Sequence, residues 1–371
     1  MQQHLSLASS SSSSSLMLRR ICSSVSAVQF STAACVANKK KLVFLGSPSV
    51  SASVLDNLLD ASSTPDSLFE VSAIVTQPAS GRDRGRKVMP SPVAQHALDR
   101  GFPPHLIFTP VKATEQEAFL SDFSAIEPEL CITAAYGNIL PTKFLKIPSL
   151  GTVNIHPSLL PLYRGASPVQ RALQDGVKES GVSLAFTVRA LDAGPIIAFQ
   201  KWDIDDHIKA PELLDLLFAK GSELLLQQLP SIFDGSARTK AREQDDSKAT
   251  LAPKINQEES WLSFDQEATT LHNKVRAFAG WPGTRAKFLV IDEKSDKNTE
   301  LELKVITSRV YEKGNDNKDD EVTFTKGSLI VLCGGHTALE ILEVQLPGKK
   351  VVSAASFWNG LRGQKLKKLQ L

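Results

Sequence analysis

Four short apolar runs, "KKLVFLGSP" from Lys40, "FEVSAIVTQP" from Phe69, "ELCITAAYG" from Glu129 and "GTVNIHP" from Gly151, each end in glycine, proline or a polar turn. Strands that are apolar at consecutive positions must be covered on both faces, which is the condition of a parallel sheet wrapped by helices. The intervening stretches supply those helices. Val54, Leu55, Leu58 and Leu59 recur at helical spacing in "VSASVLDNLLDA", and "SPVAQHALDRG", "TEQEAFLSDFSAI" and "SPVQRALQDG" read the same way, the last with Ser167 as expected cap and Pro168 in its first turn. "HLIFTP" and "GVSLAFTV" read as further strands, and "APELLDLLFAKGSELLLQQLPSIFDG" as one long or broken helix. The order predicts an α/β fold built on a doubly wound, Rossmann-like, parallel-rich sheet.

At "GSARTKAREQDDSKATLAPK" the apolar periodicity stops and charged and small residues take over. A linker is expected over residues 238–251, between a first domain at 39–237 and a second at 252–371. In the second, "SFDQEATTLHNKVRAFAG" puts Ala268, Leu271, Val275 and Phe278 on one helical face. "TRAKFLVI", "LELKVITSRVYE", "EVTFTKGSLIVLC" and "ALEILEVQL" then read as strands of a small antiparallel, OB-like β-barrel.

Residues 1–38 are Ser-rich, carry Arg19 and Arg20 and contain no acidic residue, the first being Asp56. That bias is the composition of an organelle transit peptide, and the serines interrupt any apolar core of a secretory signal. The formal net charge of +2 resides in those two arginines, so the rest of the chain is near neutral and a polyanion partner must meet local patches. Cys22 and Cys35 fall in the leader, while Cys131 and Cys333 are far apart, so neither a disulfide framework nor a cysteine zinc site is expected. No apolar run approaches the length of a membrane span.

The chemistry gathers at the end of "GTVNIHP". Side chains alternate along a strand, so Asn154 and His156 share one face and Val153 and Ile155 the other. "GVSLAFTV" leads on to "RALDAGPII", which delivers Asp192 on a turn. Amide, imidazole and carboxylate, without a reactive thiol, a serine elbow or a third well-spaced metal ligand, suit group transfer from a carbonyl to an amine. Asn154 can donate to a developing oxyanion. His156 can donate to the same oxyanion or protonate a leaving nitrogen, and Asp192 can orient the imidazole or accept the amine's proton.

"NIHPSLLPLYRGASPVQRAL", "AAYGNILP" and "LDAGPII", together with "FLGSP", "IVTQPASGRDRGRKVMPSPV", "APKIN", "LHNKVRAFAGWPGT" and "GKKVVSAASFWNG", resemble the folate-dependent formyltransferases, in particular the branch that acts on methionyl-tRNA. The resemblance covers nearly all of the chain after the leader. It implies a monomeric enzyme, needing no metal, that moves a formyl group from 10-formyltetrahydrofolate to the α-amine of initiator methionyl-tRNA. Asn154, His156 and Asp192 would be its catalytic residues, Ser158, Leu159, Leu160 and Pro161 would border the folate, and "AAYGNILP" would lie near the pteridine. An initiator-formylating activity with such a leader belongs in a mitochondrion, with a plastid or both as alternatives.

Two basic clusters fit an RNA partner. "GRDRGRKVMP" puts Arg82, Arg84, Arg86 and Lys87 on a loop after the second strand, where cations can meet acceptor-stem phosphates. By the resemblance Arg84 is the principal contact, although Asp83 departs from the usual pattern. Lys349 and Lys350, with Arg362, Lys365, Lys367 and Lys368, follow the last acidic residue, Glu343, on the second domain.

Overall fold

The computed structural model describes residues 39–81, 88–110, 117–293, 297–312 and 320–370. The expected leader therefore lies outside the described residues, as do Arg82, Arg84, Arg86 and Lys87.

Strand and helix alternate through the first region. β1 (Lys40–Gly46), α1 (Ser49–Ser62) and β2 (Phe69–Val75) precede a small ribbon of β3 (Ser80–Gly81) and β4 (Val88–Met89). Then come α2 (Pro92–Asp99), β5 (Ile107–Phe108), α3 (Glu117–Ala125), β6 (Leu130–Ala134), α4 (Thr142–Leu145) and β7 (Thr152–His156). α5 (Pro168–Asp175), β8 (Glu179–Phe186), β9 (Ile196–Asp203), α6 (Ala210–Phe233) and α7 (Ser236–Lys240) follow. Seven strands form one sheet in the order β5-β2-β1-β6-β7-β8-β9. The first five are parallel, and β8 and β9 turn antiparallel.

The two faces of this sheet are covered unequally, and that inequality positions the site. Leu42, Phe44, Ile132, Val153, Ile155, Val182 and Leu184 project to one face, where Val54 and Leu55 of α1 and Phe218, Leu225 and Leu229 of α6 complete a core. α6 runs unbroken for 24 residues, with Pro230 only in its last turn. Gly221 lets it lie close to the sheet, since a Cβ there would meet Ile155 Cγ2 at 2.4 Å. On the opposite face Val43, Leu45, Ala73, Val75 and Cys131 pack under Phe119, Phe123 and Phe144. That cover serves β1, β2 and β6. Beyond them, on the face carrying Asn154 and His156, loops replace helices.

The second region holds α8 (Ala268–Ala277), β10 (Thr284–Asp292), β11 (Lys297–Val310), β12 (Thr323–Thr325), β13 (Ser328–Leu332), β14 (Ala338–Gln345), β15 (Val351–Ser353), α9 (Ala354–Gly360) and β16 (Lys365–Lys368). Its antiparallel sheet runs β12-β13-β14-β11-β10-β16, with β15 beside β14. The Val322 N–H donates to the Leu366 carbonyl at 2.8 Å and the Lys368 N–H to the Asp320 carbonyl at 2.9 Å. The last strand thus returns to the chain entering β12, and the sheet closes on itself around Phe288, Leu303, Leu329, Ile341 and Leu366. Ala268, Leu271 and Val275 of α8, with Phe278 just past its end, are buried as their spacing predicts.

Two local expectations need correction. "EVTFTKGSLIVLC" is a hairpin rather than one strand, because Lys326 and Gly327 both adopt left-handed backbone, φ 49° and 85°, as a tight two-residue hairpin turn requires. Ser167 stands at the N-cap of α5 but its side chain makes no capping bond; its N–H instead donates to the Ala252 carbonyl at 3.1 Å.

Candidate active site

β7 is central in the sheet, and its alternation sorts its residues as expected. Val153 and Ile155 are buried against α6, while Asn154 is half-buried and His156 only 4 % exposed on the loop-covered face. Parallel register places Thr133 of β6 beside Asn154, and its hydroxyl donates to Asn154 Oδ1 at 2.7 Å. With its oxygen so engaged, the amide presents Nδ2, a pure donor, to the crevice. Nothing in the local sequence pairs these residues; only the strand order does.

Past β7 the chain folds back as a tight loop over residues 157–165. His156 Nε2 donates to the Tyr163 carbonyl at 2.9 Å. A carbonyl can only accept, so Nε2 carries the proton and Nδ1 is the nitrogen free to gain or lose one. The Ser158 hydroxyl donates to the Leu162 carbonyl at 2.6 Å, and Ser183 of β8 accepts from the Leu160 N–H at 3.0 Å and donates to the Ser158 carbonyl at 2.7 Å. Leu160 is buried, and Leu159 lies against β8, where a Cβ at Gly181 would meet its Cδ2 at 2.6 Å. Pro161 is half-buried and the following Leu162 exposed.

Asp192 arrives on a loop that doubles back. β8 runs antiparallel to β7, with Ser183 beside His156 and Phe186 beside Val153, so the chain leaves β8 at the end remote from His156. The loop of residues 187–195 doubles back, and Asp192 Oδ2 comes to 3.8 Å from His156 Nδ1. That separation exceeds a direct hydrogen bond. The Gly165 N–H donates to the same Oδ2 at 2.9 Å, fixing the carboxylate. Gly165 is required there: its φ is 130°, and a Cβ would stand 2.5 Å from the Ala252 carbonyl oxygen.

The stretch expected as a linker crosses this loop. Thr250 and Ala252 bond the backbone of Arg164, and Arg242 exchanges both backbone hydrogen bonds with Ile196. Gln244 donates to the carbonyls of Asp192 and Gly194. Tyr163 Oη donates to Asp175 at 2.9 Å; burial, reinforced by that carboxylate, pushes its phenol up from the ordinary value. Thr133, Gln244 and Ser183 carried no sequence signal, since each acts on a residue at least 20 positions away.

"AAYGNILP" forms a separate rim beside β6. Tyr136 is buried, and its carbonyl accepts from Ser47 Oγ and Gln77 Nε2, both at 3.2 Å. Tyr136 Oη and Asn138 Nδ2 are buried without a hydrogen-bond partner among the described residues. Lys349 and Lys350 are exposed in the turn after β14 and make no ion pair among the described residues, whereas Lys365 pairs with Glu293 at 2.6 Å and Lys368 with Asp320 at 3.7 Å. No group of three or more His, Cys, Asp and Glu side chains gathers as a metal site among the described residues. No described helix is long and apolar enough to cross a membrane.

The formyl transferase model matches residues 40–229, and the formyl transferase C-terminal domain model matches residues 254–362. The methionyl-tRNA formyltransferase of Bacillus licheniformis is 35% identical over 321 residues, covering 86% of this chain and 95% of that one. That of Methylococcus capsulatus is 37% identical over 330 residues, covering 88% and 99%. The chain belongs to the methionyl-tRNA formyltransferase family. It is an enzyme of that family, and its fold recurs in more distant structures. A sugar 3N-formyl transferase solved in the presence of dTDP and 5-N-formyl-THF aligns with a TM-score of 0.58 at 18% identity, over 84% of this chain and all of that one. HypX from Aquifex aeolicus aligns at 0.56 and 18% identity, over 88% of this chain and 48% of its own.

Proposed function

We propose that this chain formylates initiator methionyl-tRNA for translation in an organelle, acting as a monomer with Asn154, His156 and Asp192 as its catalytic residues. The family's activity is formylation of methionyl-tRNA from a formyltetrahydrofolate donor; the initiator, the organelle and the residue roles are our reading. The observation that carries it is the approach of Asp192 Oδ2 to 3.8 Å from His156 Nδ1, on the sheet face that Asn154 shares.

The geometry suggests a division of labour. A formyl carbonyl seated over β7 gains negative charge on its oxygen as the methionyl amine adds to its carbon. Asn154 Nδ2–H and a protonated His156 Nδ1–H are donors for that charge. Asp192, fixed through Oδ2, takes the proton the amine must lose, and collapse breaks the bond to the donor nitrogen, which leaves carrying that proton from Asp192. Tyr136 Oη and Asn138 Nδ2, neighbours that meet no partner within hydrogen-bond geometry among the described residues, fit a polar heterocycle such as the pterin, since buried polar atoms ordinarily find partners. We assign the folate border to the loop of Ser158, Leu159, Leu160 and Pro161, through its backbone and the half-buried Leu159, since the Ser158 hydroxyl is committed to Leu162 and Leu160 is buried.

For the tRNA, we assign phosphate contacts to Arg82, Arg84, Arg86 and Lys87, and to Lys349 and Lys350, which make no ion pair among the described residues. The family models leave 230–253 between them, consistent with domains at 39–237 and 252–371 and a connecting segment at 238–251. The first model starts at residue 40, just after the acid-free leader, which supports residues 1–38 as a transit peptide for the mitochondrion, with a plastid as the other destination.

The test is to incubate the full chain with 10-formyltetrahydrofolate and methionine charged on initiator or elongator tRNA, and to count formylmethionine. Product on the initiator alone is expected, and equal product on both would overturn the initiator assignment. Fusing residues 1–38 to a fluorescent reporter tests the address: mitochondrial import is expected, and a reporter left in the cytosol ends that part of the reading.

A further inference from the structure

Among the described residues Gln244 is the one side chain that grips the backbone of the Asp192 turn from outside it, and we infer that it is a positioning residue for the formyl transfer, with Arg164 as its support. Its Nε2 donates to the carbonyls of Asp192 at 2.8 Å and Gly194 at 2.7 Å. Its Oε1 accepts from Arg164 Nε at 3.0 Å and Nη2 at 2.7 Å. Carbonyls only accept and a guanidinium only donates, so all four bonds hold in a single orientation of the amide and fail in the flipped one.

Asp192 needs such a grip. Its φ is 47°, in the left-handed region where a residue with a side chain is held by its surroundings rather than by its own preference. The loop carrying it doubles back from the far end of β8, and the Gly165 N–H fixes one carboxylate oxygen but leaves the backbone unheld. Gln244 supplies the missing constraint two atoms away. Its own position is set on both sides, by Arg242 pairing with Ile196 and by Thr250 and Ala252 pairing with Arg164. Arg164 is 8 % exposed and also donates to Asp246 Oδ1 at 2.7 Å, so its fork is locked. The stretch between the two regions thus doubles as a strap that aims the carboxylate at His156 Nδ1.

Gln244→Glu separates aim from architecture. The carboxylate keeps and strengthens the Arg164 contact, but it presents an acceptor to two carbonyls and lets go of the turn. This inference rests on Asp192 acting in the reaction, so Asp192→Asn and the double variant belong to the same experiment. Expected for Gln244→Glu is a kcat at least tenfold lower, with KM for both substrates within about twofold and an unchanged melting temperature, since about 1.4 kcal/mol of lost aim is tenfold in rate. In the Asp192→Asn background the same change is expected to do nothing further, because its effect runs through that carboxylate. Gln244→Met, near in size but without the donor, carries the comparison if the glutamate variant does not fold. Wild-type kcat in both Gln244 variants while Asp192→Asn is inactive overturns the positioning role, as does full additivity in the double variant. An active Asp192→Asn overturns the catalytic reading itself, whatever the Gln244 variants do.

Discussion

His156 and His272 are both buried, 4 % and 8 % exposed, and each is bonded through Nε2 to a backbone carbonyl at 2.9 Å, Tyr163 in one case and Asp206 in the other. They differ at Nδ1. In the first region that nitrogen faces a carboxylate 3.8 Å away, held by the Gly165 N–H on a strapped turn. In the second it sits 3.2 Å from Ser308 Oγ, with the Arg276 guanidinium and the His207 ring as neighbours. The shared carbonyl bond sets which nitrogen is free, and the neighbour of that nitrogen sets what the ring can do. A carboxylate without a direct hydrogen bond leaves room for a proton to move. A hydroxyl beside the Arg276 guanidinium leaves a neutral ring with both nitrogens bonded.

The sharpest break of this contrast comes from removing each ring. His156→Ala is expected to lower kcat about a thousandfold, within the usual range for loss of an acid-base group, with KM for both substrates little changed. His272→Ala is expected to leave kcat alone and lower stability. Single-turnover formylation beside a melting curve checks both, and a His156 variant within tenfold of wild type would place the two rings in one class. Next in size is Asp192→Asn, expected to cost about a hundredfold in kcat. The asparagine oxygen still accepts from the Gly165 N–H, so the turn survives and only the charge beside Nδ1 is lost. A loss in KM instead of kcat would make the carboxylate a binding group.

A smaller change tests how the amide beside His156 is held. Thr133→Val keeps shape and removes the hydroxyl that engages Asn154 Oδ1. The bond is worth about 1 kcal/mol, so kcat is expected to fall by up to about fivefold as the amide spends part of its time flipped. An unchanged rate would mean that substrate alone orients Asn154.

These pairs also separate what a sequence reveals from what it conceals. Asn154 and His156 were legible because strand alternation is a local rule, and the burial of Val153 and Ile155 against α6 follows from it. The antiparallel turn at β8 was not, since "GVSLAFTV" reads the same in either direction, and so the return path of Asp192 could not be drawn. Thr133 and Gln244 lie 21 and 52 positions from the residues they hold, and nothing in a hydroxyl or a carboxamide announces such a partner. The hairpin in "EVTFTKGSLIVLC" was concealed for the opposite reason. Its Lys326–Gly327 turn is local, but the flanking apolar residues run on in one strand-like pattern.

The smallest effect concerns His272 and pH, and its sign follows from burial. Burial is the main cause that lowers the pKa of His272 from its ordinary value; Arg276 and His207 add to it, while the bond to the Asp206 carbonyl and the Asp206 charge oppose it. An unfolded histidine titrates near about pH 6.5, so just below that value the unfolded chain binds a proton that the folded chain refuses. Stability therefore rises with pH through this window. The contribution is complete above about pH 6.5 and is lost as pH falls toward the lowered native value, with a slope of at most about 1.4 kcal/mol per pH unit for one proton. His272→Gln removes the titration and keeps a donor for the Asp206 carbonyl and an acceptor for Ser308. Melting temperatures measured from about pH 7.5 down to about pH 5.5 are expected to fall more steeply for the wild type than for the variant, with equal kcat at the upper end. Parallel curves would mean that the His272 ring accepts its proton as readily inside the fold as outside it, and the contrast with His156 would then have to rest on the carboxylate alone.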